Sequence, residues 1–383
     1  MFSLKEASTL AREPDVAAAV DAVDRYLEAR AGPAAFRRAR GAAVAADDRV
    51  RFRGLAELGL TSAFLPESAG GSAMPEGVAP LFAERFGWWL AREPFVENVV
   101  LPSALAQRIG DAATAAAIAD GQAVCVAWQE GEFDRAERRK VATSLTREGS
   151  GWRLRGTKRF VMGAVASDRL LVLASTGTEP VVVLVPSSAA GVARNDKLLA
   201  DGSHWSEIAF DVHLGEDALR SHGKNVSEAL AGAIAVSNLA LSGALYGLLS
   251  RTLAMTLDYL TTRVQFDRPI GAFQALQHRA TDLYTHAQIT RFLLGEAVDA
   301  LREGVPERIL ETYASRTKAR AADAALRIAK EGIQMHGAMG FSDEHDVGLY
   351  VKRILVLTAW LGGADWHRRH VAALDPHALE TYT

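Results

Sequence analysis

The residues whose types and spacing could do chemistry fall in two short segments of the C-terminal third. In RVQFDRPIGAFQALQ, residues 263–277, an Arg, a Phe, a Pro-Ile break and a Phe-Gln pair sit at the junction of two helical patterns. As plain structure this is a helix–turn–helix connection, with Pro269 ending one helix and Phe273 seeding the next. In IQMHGAMGFSDEHD, residues 333–346, Gly337 and Gly340 interrupt a helical stretch ahead of a run of acids. Those glycines can serve as a C-cap and loop, or they can let the backbone come close to a phosphate or ribityl chain. His367 and His370, in WHRRH, can share one helical face. Without a carboxylate at helix spacing, a surface helix is expected there in preference to a metal site. A Walker loop, a GxGxxG after a strand, a nucleophile elbow and an HExxH are all missing, which sets aside the ordinary NTPase, Rossmann and serine-hydrolase chemistries.

The elements that must position these segments change character twice along the chain. Residues up to about 120 read as helical, through Val16 to Ala31, Phe36 to Ala45, Asp48 to Gly59, Val78 to Leu90 and Leu101 to Ile109, with almost no strand signal. From about Ala123 short β-rich runs take over: Ala123 to Trp128, Lys140 to Glu148, Trp152 to Val161, Leu170 to Ser175, Val181 to Pro186 and Glu207 to Val212. Gly and Asp turns punctuate them. After about Ser227 the helical period returns, with Phe273, Leu276, Ala280, Leu283 and Ala287 at spacings of three and four. The expected domains are a helical one over 1–120, a small β domain over 121–226 and a helical one over 227–383.

Composition narrows the class. The chain has 383 residues, 49% of them hydrophobic and 23% charged, enough to bury a sizeable core. A net charge of −3, with both signs spread along the chain, gives no footprint for nucleic acid or an anionic membrane. Cys125 is the single cysteine, which excludes an internal disulfide and a thiolate-rich metal site and points to a reducing cytoplasm. The first residues, MFSLKEASTLAREPD, carry charges and lack the pattern of a secretory signal. Ala229 to Ser250 runs for 22 residues without a charge, long enough to cross a bilayer. Its Ala, Gly and Ser content, with Asn238 in the middle and no flanking basic cluster, instead predicts a helix buried among other helices.

Taken together the segments resemble the acyl-CoA dehydrogenase family, in the right order along nearly the whole chain. LAELGLTSAFLPESAGG at 55–71, GWRLRGTKRFVMGAVASDRLLVLAS at 151–175, and the two C-terminal segments all resemble the family's corresponding stretches. The resemblance implies an α+β, mainly α fold: an N-terminal helical domain, a central β-barrel and a C-terminal four-helix bundle, assembled as a dimer or tetramer. It also implies FAD, held between domains and against a neighbouring subunit. Arg263 and Phe266 match the family's residues at the adenosine-diphosphate end of FAD, and Gln274 lies at the matching glutamine. An Arg fork suits pyrophosphate and a Phe face suits adenine. Gln334 and Gly337 match the pair that reaches a flavin across the subunit interface. Trp128, Gln129, Phe160 and Met162 occupy positions that line the isoalloxazine ring in relatives, although Trp128, Phe160 and Met162 serve equally well as β-domain core.

The family's reaction needs a carboxylate over the substrate α-carbon as general base. At the usual position, before a Gly near the C-terminus, this chain has Leu361. At the second position known in the family it has Ser237, next to Asn238 where relatives often carry Arg. The family's TEPGAGSD-like loop is shortened to QEGEFD at 129–134, and Met162 replaces a common flavin-contacting Thr. No catalytic residue is therefore assigned. The expectation is a base-lacking subunit of a hetero-oligomer that binds an acyl-CoA, in which a homologous partner carries the base and an electron-transfer acceptor reoxidises the flavin. Bulky steroid-type acyl groups are the substrate class suggested by analogy. Two alternatives stay open: a self-sufficient flavoenzyme whose base has moved to Asp365 or Glu130, and a scaffold subunit without flavin.

Overall fold

The computed structural model describes residues 3–39, 44–131, 141–223 and 225–374. Contacts divide the chain into two compact units, one comprising 1–40, 77–92 and 238–383, the other 41–76 and 93–237.

The second unit is built on one sheet. Its strands are β1 (Val124–Ala127), β2 (Ser144–Glu148), β3 (Gly151–Met162), β4 (Arg169–Ser175), β5 (Pro180–Pro186), β6 (Val192–Leu198), β7 (His204–Leu214) and β8 (Leu219–His222). They run in the order β6-β7-β3-β2-β4-β5-β8, with β1 parallel to β4. RLLVLAS in β4 and PVVVLVP in β5 are near-continuous apolar runs because both strands lie in the buried middle. Their side chains join Cys125, Leu145, Leu154, Ile208 and Phe210 in one core, and burial there pushes the Cys125 thiol up to about 12, leaving it an inert core residue. The sheet departs from the expected barrel by staying open. One edge is β6, VARNDKL, exposed almost throughout, and the other is β8, only four residues long. A polar edge and a short edge both resist closure.

The first unit is helical. It contains α1 (Pro14–Arg30), α2 (Pro33–Ala39) and, after α3 (Val44–Glu57) of the sheet unit, α4 (Ala79–Trp88). The sheet unit also holds α5 (Leu101–Arg108) and α6 (Ala112–Ala119). A long α7 (Asn225–Thr262) precedes α8 (Gln274–Glu303), α9 (Glu307–His336), α10 (Ala338–Phe341), α11 (Val347–Ala359) and α12 (Ala364–Leu374). The uncharged stretch Ala229 to Ser250 lies within α7 and is almost wholly buried, as its small-residue composition predicts. A second apolar stretch, Val347–Leu374, also meets the length and composition of a membrane span, but it is broken at residues 360–363 between α11 and α12. Gly87 of α4 and Gly243 and Gly247 of α7 let the two helix backbones touch, since a Cβ on any of them would collide with the Ala244, Pro80 or Glu84 carbonyl. On α12 the surface reading fails for one histidine. His367 is fully buried with Nδ1 3.1 Å from Ser315 Oγ, while His370 lies 3.4 Å from Glu311. Among the described residues, no three His, Cys, Asp or Glu side chains gather as a metal set would.

Candidate functional site

Residues 263–273 are not a simple helix connection. After α7 ends, Val264–Gln265 (β9) and Arg268–Pro269 (β10) pair as a minimal antiparallel hairpin, closed by Phe266 and Asp267 with φ of 54° and 62°. Positive φ at both central residues is a type I′ feature, normally filled by Asn-Gly. A Phe there is strained, and it is also 85% exposed. Its ring meets Phe273 edge-on at 6.1 Å, and the Arg268 guanidinium covers the Phe273 ring at 4.1 Å. Arg263 is exposed, and among the described residues its guanidinium has no hydrogen bond or ion pair. Gln274 begins α8 and is exposed. The hairpin thus presents a cation without a partner among the described residues beside an outward-facing aromatic ring.

The Gln334–Gly337 end of α9 lies beside this hairpin's root. Arg263 N donates to Tyr259 O at 2.9 Å, and the Tyr259 ring packs on His336 at 4.6 Å. Gln334 and Gly337 are exposed, and Gly337 takes φ 60° as the helix C-cap. The sequence-predicted residues of this unit are therefore neighbours in space.

In the sheet unit, Trp128 and Gln129 follow β1 and meet the end of β3. Arg159 N donates to Gln129 O at 2.8 Å, and Lys158 Nζ to Trp128 O at 3.2 Å. The β3–β7 register slips between Lys158 and Val161, and in that bulge Phe160 adopts φ 55° and packs on Trp205 at 4.7 Å. Met162, paired with Trp205 in the ladder, is buried and has no hydroxyl to offer. The two groups of candidate residues belong to different units, and each is coherent within its own.

The carboxylates proposed as displaced bases are both committed elsewhere. Glu130 accepts from Lys158 Nζ at 2.6 Å, Thr143 Oγ1 at 2.7 Å, Thr143 N at 2.9 Å and Ala142 N at 2.8 Å. Burial pushes its pKa up, but these bonds outweigh burial and hold it at about 2. A carboxylate that accepts four hydrogen bonds and has so low a proton affinity is a structural anchor, not an α-proton acceptor. Asp365 is a solvated surface charge 2.6 Å from Arg368. At the two positions where a base is sought, Leu361 is buried and aliphatic with φ 57°, and Ser237 Oγ spends its proton on Ala233 O of its own helix at 2.8 Å. The residues 132–134 of the shortened loop lie outside the described residues.

Residues 228–374 match the family model described as "Acyl-CoA dehydrogenase, C-terminal domain". The acyl-CoA dehydrogenase FadE27 of Mycobacterium tuberculosis is 29% identical over 335 residues, spanning 85% of this chain and 87% of the relative. The structure called the Tcur3481-Tcur3483 steroid ACAD superposes with a TM-score of 0.83 at 26% identity, covering 97% of this chain and 100% of that one. The ChsE4-ChsE5 complex from Mycobacterium tuberculosis gives 0.83 at 25% identity, covering 96% and 98%.

Residues 228–374 thus resemble an acyl-CoA dehydrogenase C-terminal domain, and the chain is similar to acyl-CoA dehydrogenases over most of its length. The most informative residues that the sequence motifs alone do not reveal are two buried lysines. Lys158 is fully buried in β3, two residues along from Gly156 and four from Leu154, on the same face as that core leucine. Strand alternation alone flags it: a charge in core phase needs a buried partner, and Glu130 supplies one. Lys318 occupies the buried alanine stripe of α9 between Ala314 and Ala322. The Lys158 pairing makes a checkable statement. Glu130→Gln leaves the buried ammonium short of its counter-charge and is expected to cost about 3 kcal/mol at neutral pH, read from urea unfolding. Because the folded pKa of about 2 lies below the ordinary 4.5, the parent's extra stability is full above 4.5 and is lost as pH falls from there toward 2. The variant's stability should be flatter across that window, and equal acid sensitivity in both would remove the ion pair from the account.

Proposed function

We propose that this chain is the subunit without a catalytic base in a flavin-dependent acyl-CoA dehydrogenase assembled from two homologous chains, catalysing α,β-desaturation of an acyl-CoA thioester. One observation carries the reading: the exposed Arg263 guanidinium has no partner among the described residues, while the base positions hold Leu361 and Ser237. The fit to FAD is uneven along the cofactor. Arg263, Phe266, Gln274, Gln334 and Gly337 suit its pyrophosphate and adenine, with a free guanidinium, an outward aromatic ring and a glycine turn open to close approach. At the isoalloxazine end, Met162 offers a thioether where a hydroxyl would donate, and Glu130 is consumed by Lys158. That asymmetry suits a chain that contributes to a flavin site shared with a neighbour instead of running one alone.

When bound, FAD supplies the acceptor for the hydride that leaves the substrate β-carbon. This chain's residues hold the cofactor's phosphates and adenine, and the Leu361 backbone N–H, which has no acceptor among the described residues, can donate to a thioester carbonyl. A carbonyl polarised without a base remains short by roughly 10²- to 10⁴-fold, so the α-proton goes to a carboxylate of the homologous partner. Phe266 and Phe341, 85% and 80% exposed on the same two segments, are apolar surface that a partner subunit would cover. The likeness to a steroid ACAD named for two chains, and to a complex of two chains, supports both the paired assembly and a bulky steroid-type acyl group. An electron-transfer protein would reoxidise the flavin, and the cytoplasm is the proposed location. No observation favours a displaced base in Asp365 or Glu130.

The test is acyl-CoA desaturation by this chain alone and co-expressed with a homologous subunit that carries the catalytic carboxylate. Turnover only with the partner is expected. Strong turnover by the isolated chain would overturn the proposal.

A further inference from the structure

The strongest feature that the proposed reaction does not use is the ammonium of Lys318. It is fully buried in mid-α9 and meets no carboxylate among the described residues. Its Nζ instead donates to four backbone carbonyls, those of Leu357 at 3.0 Å, Thr358 at 3.3 Å, Trp360 at 3.1 Å and Gly362 at 3.2 Å. These oxygens close α11 and form the turn that follows it. Three N–H bonds shared among four acceptors satisfy carbonyls that a helix end otherwise leaves orphaned, and they place a cation at the negative end of the helix dipole.

The turn so gripped is the one that carries Leu361. Leu361 and Gly362 have φ of 57° and 110°, and the first is an unusual conformation for a branched aliphatic residue. Trp360 N donates to Val356 O at 3.2 Å and Gly362 N to Ala359 O at 3.3 Å, and the N–H between them donates to nothing among the described residues. From the other side, a Cβ at Gly362 would lie 2.9 Å from both His367 Nε2 and a Trp366 ring carbon. His367 is in turn fixed on Ser315, and burial, reinforced by the nearby Lys318 charge, holds it neutral. A strained turn is thus clamped between α9 and α12, although its side chain at 361 has no chemistry. What the clamp preserves is backbone geometry. Isolated buried ammonium groups are costly, burial pulls this one down to about 7, and an aliphatic side chain of equal length would fill the alanine stripe without that cost.

We propose that Lys318 is a positioning residue that fixes the Trp360–Gly362 turn so that the Leu361 N–H stays free to donate to an acyl-thioester carbonyl. The inference rests on the acyl-CoA reading above, and the test separates the two. Lys318→Met keeps the length and removes the donors, and Lys318→Gln keeps N–H donors without the charge. In the assembled protein, two quantities are read for each variant. One is hydrogen exchange of the peptide spanning 357–363 without ligand. The other is the affinity for a saturated acyl-CoA relative to its thioether analogue, which lacks the carbonyl. Lys318→Met is expected to speed exchange in that peptide alone and to lower the thioester-to-thioether ratio by about 10-fold, the worth of roughly one hydrogen bond, with thioether affinity unchanged. Lys318→Gln should fall between Met and the parent in both.

Unchanged exchange in Lys318→Met would show that the lysine does not hold the turn. Faster exchange with an unchanged ratio would make it a structural cap only, and either result overturns the proposal. A parent protein with no preference for the thioester would sink the acyl-CoA reading, and the exchange data would still decide whether Lys318 fixes the turn. Should Lys318→Met not fold, Lys318→Gln gives both readouts.

Discussion

Arg263→Ala is expected to strip flavin from the assembled enzyme, lowering FAD affinity by about 100-fold while leaving the urea midpoint unchanged. The guanidinium is exposed and makes no bond within the chain's described residues, so its removal leaves nothing buried unsatisfied and costs the fold almost nothing. Its loss is felt only by whatever it serves. Charge-assisted bonds from Arg to a phosphate are worth about 1.5–3 kcal/mol, and the upper end of that range corresponds to the expected loss. Arg268, five residues on, is the internal control because it already covers the Phe273 ring at 4.1 Å. Arg268→Ala should loosen the hairpin modestly and leave flavin affinity within a few-fold. Equal flavin content in Arg263→Ala and the parent, measured by absorbance of the purified assembly, would detach this hairpin from FAD.

Gly247→Ala should be among the most destabilising single-methyl changes in the helical unit, costing about 3 kcal/mol or more with an unchanged m-value. The added Cβ would overlap the Glu84 carbonyl oxygen and crowd the Trp88 amide, both backbone groups of α4 that cannot rotate away. Gly243, one turn earlier, meets Pro80 in the same manner, and Gly87 on the facing helix meets Ala244. Relief therefore requires the two helices to separate along their whole contact. Separation would also unseat the Tyr350 hydroxyl from the Trp88 carbonyl at 3.0 Å, and α7 bears Arg263 immediately after its last turn. Reduced flavin content is expected to accompany the lost stability. By contrast Gly304→Ala, at an open C-cap with no atom near its Cβ, should cost only the strain of φ 70°, about 1 kcal/mol. Equal stabilities for the Gly247 and Gly304 variants would contradict the close helix crossing.

What the sequence showed and what it hid follow from range. Apolar runs such as those of β4 and β5, and the heavily apolar α7, announce themselves because burial on all sides needs no partner to be legible. β6 was hidden since VARNDKL has no apolar alternation, and it lies at an exposed edge where none is required. The β9–β10 hairpin was hidden because its strands are two residues long and its turn is Phe-Asp, where the rule expects Asn-Gly. Glu130 looks like a loop charge in the sequence. Its partner Lys158 is 28 residues away and reaches it only through the sheet. WHRRH, with no carboxylate at helix spacing, reads as a surface helix, yet the helix turns His367 into the core. Arg263 differs from these: exposed and without a partner among the described residues, it leaves its residue type and place in the chain as the whole signal.

The most direct measurement of the central claim is the flavin count per assembled pair of subunits, taken together with acyl-CoA desaturation by the same preparation. A chain that contributes to a flavin site shared with its neighbour but lacks its own base gives one FAD per pair, with turnover, and little flavin when expressed alone. One FAD for every copy of this chain, with full desaturation in the absence of any partner, would contradict the account and place a working base within this chain.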